Sequence, residues 1–294
     1  MKIPLGLEDR IPAAQKRRMR KGMYILPSLF TAANIGAGYY SITQTLQGSQ
    51  TDFRHFDLAA IAIGVAVVAD GLDGFVARMT GTASDFGREF DSLADVITFG
   101  VAPAILAFMW GFKWLELSDF GTSNLQSRIV QLGLIATFIF LVAGASRLAR
   151  FNIQLNPQPS NPGRPGRKYF VGLPIPAGAG VVAATVHMQL GHPITFWWLS
   201  CVWLVLLVLV GFLMVSTWRF YSLKGLNLRD RHPFWVVILI GGVIYAVTLF
   251  SQWLLISLAI FYMLSGVFTR LSYSFHRRPG PPAPPTYKEA SEQR

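Results

Sequence analysis

Long stretches without charged residues alternate along the chain with short charged segments. Charges are absent between Lys21 and Asp52, between Asp95 and Lys113, between Arg128 and Arg147, between Lys168 and Arg219, and between Pro233 and Arg270. A helix crosses the hydrocarbon core of a bilayer with about 20 apolar residues. These stretches therefore predict membrane-spanning helices, and the two longest can each hold two.

The pattern predicts an all-α protein, a polytopic membrane bundle of about eight transmembrane helices, six of them forming the core. We expect the spans at residues 23–47, 57–78, 88–112, 128–148, 171–190, 194–215, 233–250 and 252–270. Gly191-His192-Pro193 would separate the fifth span from the sixth, because proline favours a turn. Only Ser251-Gln252 separates the seventh from the eighth, and one long tilted helix is the alternative there.

Composition supports membrane residence. Apolar residues make up 52% of the chain and charged residues 14%, and the mean hydropathy is +0.41. A net charge of +11 would suit nucleic acid, but on so apolar a chain it indicates membrane topology and anionic headgroups. The N-terminus lacks the pattern of a cleaved signal peptide, so we expect none. The single cysteine, Cys201, is expected to pack among apolar neighbours.

The basic residues predict which ends of the spans face the cytoplasm. With the N-terminus inside, only Arg54, Lys113 and Arg128 of the 26 Lys and Arg residues lie outside, as the positive-inside rule requires. We expect a multi-pass protein of the inner (cytoplasmic) membrane. Its segments would be a basic cytoplasmic N-terminus (1–22), a transmembrane core that carries the chemistry (23–215), a basic cytoplasmic loop (216–232), an additional transmembrane hairpin (233–270) and a disordered cytoplasmic tail (271–294).

Four aspartates are spaced so that they fall on two adjacent helix faces. The first face carries Asp70, Asp73, Gly74 and Ala77, and the second carries Gly87, Asp91 and Asp95. Two antiparallel helices would point the four carboxylates at one volume. Carboxylates at membrane depth are costly unless they are paired, solvated or bound to a cation, and no equal cluster of Lys or Arg lies on these faces. All-oxygen ligation suits Mg²⁺ or Mn²⁺, so the spacing predicts a divalent metal site near the cytoplasmic face.

Other residues of this segment suit a phosphate-containing substrate. The two glycines beside the carboxylates would let a substrate approach the backbone, and Arg78 offers a fork that matches phosphate oxygens. A structural pair or a proton relay is the alternative for a single aspartate, but four on adjacent faces favour a metal site. A cation transporter is an alternative from another class, although the other half of the chain holds no second aspartate cluster of the kind an inverted repeat would provide.

The segment resembles the signature of the CDP-alcohol phosphotransferases. The pattern D-x2-D-G-x2-A-R-x8-G-x3-D-x3-D is filled at every fixed position from Asp70 to Asp95. The resemblance implies a two-metal site that holds Mg²⁺ or Mn²⁺ with the four aspartates, and it implies that Asp95 also acts as the general base. It implies contacts with the CDP-linked donor from Thr31, Asn34, Gly74, Ala77, Arg78, Ser84 and Gly87.

Further stretches are similar to the integral-membrane phosphatidylserine synthases within this family. They are Phe86–Pro103, Ser146–Asn152, Gly172–Pro176 and Met214–Ser216. The resemblance implies that CDP-diacylglycerol and L-serine react by direct displacement to give phosphatidylserine and CMP. It also implies a homodimer. The same chemistry with glycerol phosphate, inositol phosphate or choline as acceptor is the alternative.

Arg147, Arg150 and Asn152 lie at the predicted cytoplasmic end of the fourth span. The two arginines are three residues apart and can face one direction, which suits an anionic group such as the serine carboxylate or a lipid phosphate. Anchoring of the span by interfacial arginines is the alternative. The three residues are therefore candidates for binding the acceptor or the lipid phosphate.

Overall fold

The computed structural model of the chain is a helical bundle with very little sheet. It describes the backbone of residues 13–80, 85–115, 123–153, 169–221 and 233–275, and the side chains of residues 29–71, 87–115, 125–153, 170–220 and 250–272. The helices are α1 (Ala13–Gln47), α2 (Arg54–Thr80), α3 (Asp85–Val96), a π-helix (Ile97–Val101), α4 (Ala102–Gly111), α5 (Ser123–Ile153), α6 (Ile175–Met188), α7 (Trp197–Val215) and α8 (Pro233–Phe275). Two short strands, β1 (Tyr169–Val171) and β2 (Arg219–Tyr221), pair antiparallel.

Within the described residues, four helical stretches are long and apolar enough to cross a membrane. They are Gly87–Gly111, Leu125–Ile153, Trp197–Val215 and Phe250–Ser272, and Ile175–Met188 is a shorter apolar helix. Large apolar side chains on these helices, such as Phe138, Val205 and Phe261, are exposed. Such surfaces are stable against lipid, and a helix satisfies its own backbone hydrogen bonds there. The expectation of a polytopic helical membrane protein is confirmed.

A polar network joins three helices at one end of the bundle. His187, at the end of α6, donates from Nδ1 to Asp57 Oδ1 of α2 at 2.6 Å. The Ser251 hydroxyl of α8 lies 2.9 Å from His187 Nε2 and donates to it. Asp57 and Asp70 are both in α2, 13 positions apart, which corresponds to about 20 Å along the helix. The network therefore lies far from the aspartate cluster.

Phe250 interrupts α8, with φ −130° and ψ 33°. The break falls one residue before the separation expected at Ser251-Gln252. Ser251 lies at the His187 end of the bundle, whereas the Thr269 hydroxyl donates to Arg219 O of β2 at 3.1 Å, at the opposite end. The segment after Phe250 thus runs in the direction that the predicted eighth span requires. The hairpin as a whole stays a prediction, because the side chains of residues 233–249 lie outside the described part.

Close contacts between helices occur at small residues. A Cβ on Gly38 of α1 would lie 2.7 Å from Thr98 Oγ1 of the π-helix. The Ser41 hydroxyl of α1 donates to Ala59 O of α2 at 3.0 Å. Small residues allow backbones to approach within a membrane, where packing and interhelical hydrogen bonds drive helix association. These contacts hold α1 against the helices that carry the aspartates.

The predicted third span, 88–112, contains a wide turn that its apolar pattern does not reveal. In the π-helix, the Ala102 N–H donates to Ile97 O, five residues earlier. Pro103 follows directly, and a proline has no N–H and clashes with the carbonyl four residues before it. The wider turn accommodates this proline while the helix continues. It begins two residues after Asp95.

Other features differ from the expectations or lie beyond the described residues. The expectation that Cys201 is packed is wrong, because α7 exposes this position. The pairing of β1 with β2, which sets Phe170 opposite Phe220, was not expected from the sequence. Helix α1 begins at Ala13, within the predicted basic segment. Residues 1–12, 222–232 and 276–294, which belong to the predicted N-terminal segment, basic loop and tail, lie outside the described residues.

His187→Ala should lower the thermal unfolding midpoint of the purified protein in detergent. The substitution leaves Asp57 and Ser251 without a shared partner, and removing one member of such a pair costs about 1–3 kcal/mol. His55→Ala is the matched control, because the His55 side chain is 26% exposed and that of His187 only 11%. Equal shifts for the two variants would contradict a stabilising role of the network.

Candidate metal centre

Asp70, Asp91 and Asp95 come together where the C-terminal half of α2 meets α3. One carboxylate oxygen from each lies within 4.8 Å of the others, and all three residues are half-buried. Asp91 and Asp95 are four residues apart, so they lie on the same face of α3. The structure thus brings together three of the four aspartates singled out by the spacing.

The surroundings of Asp91 test whether a cation fits this cluster. Its Oδ1 is buried and has no hydrogen-bond partner among the described residues. A buried carboxylate oxygen without a partner is costly, and neighbouring carboxylates repel it further. A bound cation would remove both costs, and a donor set made only of oxygen suits a hard divalent ion. The residues present therefore fit a divalent cation.

Helix α1 supplies a contact to Asp95. Asn34 Nδ2 donates to Asp95 Oδ1 over 3.5 Å, which is long for a hydrogen bond. The Thr98 hydroxyl donates to Asn34 O at 2.9 Å and fixes the backbone there. Asn34 is buried, and its Oδ1 has no partner in the described part of the chain. Asn34 can therefore orient Asp95 while its own oxygen accepts from a ligand. Thr31, one turn earlier, is buried too.

Arg147 and Arg150 of α5 have different surroundings. Arg150 donates from Nη1 to Val215 O at 3.0 Å and from Nη2 to Ser216 O at 3.3 Å. Arg147 is only 7% exposed, and its Nε has no hydrogen-bond partner among the described residues. Its guanidinium interacts electrostatically with Asp95. Arg150 thus joins α5 to the end of α7, whereas Arg147 keeps a buried donor without a partner in the described part of the chain.

Two further site candidates lie on the α3 side. Asn152 Nδ2 donates to Ser92 Oγ at 2.9 Å, next to Asp91. Gly87 is half-buried one turn before Asp91. The remaining candidates lie outside the residues whose side chains the structure describes, and their roles stay predictions: Asp73, Gly74, Ala77, Arg78 and Ser84.

Sequence reasoning missed three residues near the site. Ser92 contacts Asn152, and Thr98 fixes Asn34. Tyr262 of α8 interacts electrostatically with Arg147. The aspartate signature has no signal for Tyr262, which is far away in the sequence. A polar hydroxyl within an apolar stretch was the only available hint.

The fold and the acidic cluster define the class of protein. The chain matches the family model of the CDP-alcohol phosphatidyltransferases over residues 24–208 and belongs to this family. It is therefore an enzyme, and the resemblance found in the aspartate signature is confirmed. All the candidate site residues fall within the matched range, whereas the last helix falls outside it.

Individual relatives show which enzymes of this family the chain is similar to. The chain is similar to the CDP-diacylglycerol–serine O-phosphatidyltransferase of Helicobacter pylori, with 37% identity over 203 residues, or 69% of this chain and 74% of the relative. The enzyme of the same name from Methanocaldococcus jannaschii is 40% identical over 154 residues, 52% of this chain and 59% of the relative. The archaetidylserine synthase of Methanothermobacter thermautotrophicus is 37% identical over 161 residues, 54% of this chain and 56% of the relative. All three names include serine.

Asp91→Asn should weaken the binding of Mn²⁺ to the purified protein by about tenfold or more, because it removes a charge from the ligand set. Electron paramagnetic resonance of free Mn²⁺ in a titration measures this. Asp52→Asn is the matched control, since Asp52 is an exposed carboxylate near the His187 end of the bundle. Unchanged Mn²⁺ affinity in Asp91→Asn would contradict the metal site.

Proposed function

We propose that this enzyme transfers the phosphatidyl group of CDP-diacylglycerol to L-serine, giving phosphatidylserine and CMP. The observation that carries the proposal is the convergence of Asp70, Asp91 and Asp95 within 4.8 Å. Helix α5, which holds the buried Arg147, contacts α3 beside this cluster through Asn152 and Ser92. An acidic centre that fits a cation suits a diphosphate donor. A buried guanidinium beside it suits an acceptor that carries a carboxylate. The names of the relatives support serine as this acceptor.

The cations proposed are Mg²⁺ or Mn²⁺, in a site for two ions. Asp70, Asp73 and Asp91 would hold them, and Asp95 would complete the set. A divalent cation bound there would neutralise the donor diphosphate and stabilise the charge of the departing CMP. The donor itself would be contacted by the residues that the family signature indicates: Thr31, Asn34, Gly74, Ala77, Arg78, Ser84 and Gly87.

Asp95 is the base in the proposed reaction. The serine hydroxyl attacks the phosphorus on the lipid side, and the new O–P bond forms as the bond to the CMP oxygen breaks. The hydroxyl proton passes to the Asp95 carboxylate, and CMP leaves with the bonding electron pair. The hydrogen bond from Asn34 Nδ2 to Asp95 Oδ1 helps to orient the carboxylate that is proposed to accept this proton. Direct displacement needs no covalent intermediate, and the candidate set contains no Cys or His nucleophile.

Arg147 is the proposed ligand of the serine carboxylate. A guanidinium forms paired hydrogen bonds with a carboxylate, and the buried Nε of Arg147 has no partner among the described residues. Arg150 is the weaker candidate, because two of its nitrogens donate to Val215 O and Ser216 O. Asn152 would hold α5 against α3 beside the site.

The proposed setting is the cytoplasmic face of the inner membrane, with a homodimer as the assembly. The distribution of Lys and Arg supports this orientation. The acyl chains of the donor would stay in the bilayer while the polar groups react at the membrane surface.

A panel of acceptors tests the function directly. Purified protein with CDP-diacylglycerol and Mn²⁺ or Mg²⁺ should release CMP with L-serine and form phosphatidylserine. Glycerol phosphate, inositol phosphate and choline should support far slower release, because the site is proposed to select a small carboxylate-bearing alcohol. A boiled sample and a sample with excess chelator are the controls. Preferential use of any other acceptor in the panel would refute serine as the substrate.

Asp95→Asn should separate proton transfer from donor binding. It removes the basic oxygen while nearly preserving shape, and loss of a positioned base typically slows turnover by about 10²–10⁴. Binding of CDP-diacylglycerol in the presence of metal should remain close to that of the parent, whereas Asp70→Asn should lose donor binding as well as activity. Equilibrium binding and CMP release measured on the same preparations check this.

Two results would contradict this division of roles. Near-parent turnover in Asp95→Asn would assign the base to another group. Loss of donor binding as complete as that in Asp70→Asn would make Asp95 chiefly a metal ligand.

A further inference from the structure

The last helix approaches the candidate site through Tyr262. The Tyr262 side chain is partly buried and interacts electrostatically with Arg147. Its ring lies 5.9 Å from the ring of Phe220 in β2. The family match ends at residue 208, so both Tyr262 and Phe220 lie beyond it. A part of the chain outside the matched range thus reaches a residue proposed to bind the acceptor.

The strand pair and the residues just before β2 contact both α5 and α8, so they serve as a reference for comparing depth along these two helices. Arg150 donates to Val215 O and Ser216 O just before β2. On α8, Gly266 lies against the Phe220 ring, and the Thr269 hydroxyl donates to Arg219 O at 3.1 Å.

Arg147 and Tyr262 lie at a matching depth relative to this level. Arg147 precedes Arg150 by three residues, and Tyr262 precedes Gly266 by four. Both therefore lie about 5 Å further into the bundle. Helix rise alone therefore places the two residues at about the same depth, independently of their electrostatic interaction.

A buried guanidinium needs fixed partners to present its donors in one direction. Arg147 is 7% exposed, and the ring of Phe151 lies 5.8 Å from its guanidinium carbon. An aromatic face attracts the cation but does not fix its rotation. A tyrosine hydroxyl accepts a hydrogen bond from a guanidinium and can donate to a carboxylate at the same time. Tyr262 has the chemistry to orient Arg147 toward an anionic acceptor.

We propose that Tyr262 is a positioning residue that orients the Arg147 guanidinium for the acceptor carboxylate, so that the last helix sets the affinity for serine. The inference rests on the proposed function, since it assumes an acceptor that carries a carboxylate. It adds a specificity-determining residue from outside the family match.

The test compares L-serine with L-serinamide, which keeps the hydroxyl and amine but has no carboxylate. Tyr262→Phe should raise the KM for serine about three- to tenfold, as expected for the loss of one polar interaction. The kcat with serine, the KM for CDP-diacylglycerol and the KM for serinamide should stay near the parent values. Arg147→Lys should show the same selective loss more strongly.

The phenylalanine ring retains the packing against Phe220, so the variant should keep its thermal unfolding midpoint. Tyr39→Phe is the matched control, because Tyr39 is 67% exposed on α1, and it should leave the KM for serine unchanged. A parallel rise of the KM values for serine, serinamide and CDP-diacylglycerol in Tyr262→Phe would assign Tyr262 a structural role and overturn the inference. An unchanged KM for serine would overturn it as well. A parent enzyme that releases no CMP with serine would overturn both the proposed function and this inference.

Discussion

Mutual repulsion among carboxylates is the constraint on which the rest of this structure depends. Asp70, Asp91 and Asp95 place oxygens within 4.8 Å of one another. At an effective dielectric constant of about 20, two unit charges at this distance repel by about 3 kcal/mol. A polypeptide keeps three such groups together only if a cation neutralises them or if surrounding packing opposes their separation. The acidic cluster therefore depends on the packing of the bundle around it.

The packing behind the cluster comes mainly from α1 and the π-helix. Gly38 allows α1 to approach Thr98 closely, and the Thr98 hydroxyl then donates to Asn34 O. Asn34 in turn contacts Asp95. The chain of contacts runs from a glycine that lacks a side chain to the carboxylate proposed as the base. A larger residue at position 38 would have to displace Thr98, and the contact to Asp95 would move with it.

The sequence was sufficient to predict the features that depend on local spacing. Charge-free stretches predicted the helices, and four-residue intervals predicted that Asp91 and Asp95 share a face. Features that depend on distant neighbours could not be predicted. Nothing near Arg150 indicates that its partners are Val215 O and Ser216 O, which lie more than 60 residues away. The pairing of β1 with β2 could not be predicted for the same reason, because the two strands are far apart in the sequence.

Arg147 and Arg150 have different roles because carbonyl groups at the C-terminal end of α7 need hydrogen-bond donors. The last carbonyls of a helix lack partners within it, and Arg150 supplies donors to Val215 O and Ser216 O. Gly172, with φ +74°, lies against Ser216 O as well, and a Cβ there would come within 2.7 Å of Ser216 O and 3.2 Å of Arg150 Nη2. Only a residue without a side chain leaves room for the Arg150 fork. Arg150 is therefore held in place as a cap of α7. Arg147 lies one turn deeper and makes no such hydrogen bonds within the described part of the chain, so its guanidinium can bind an anionic ligand.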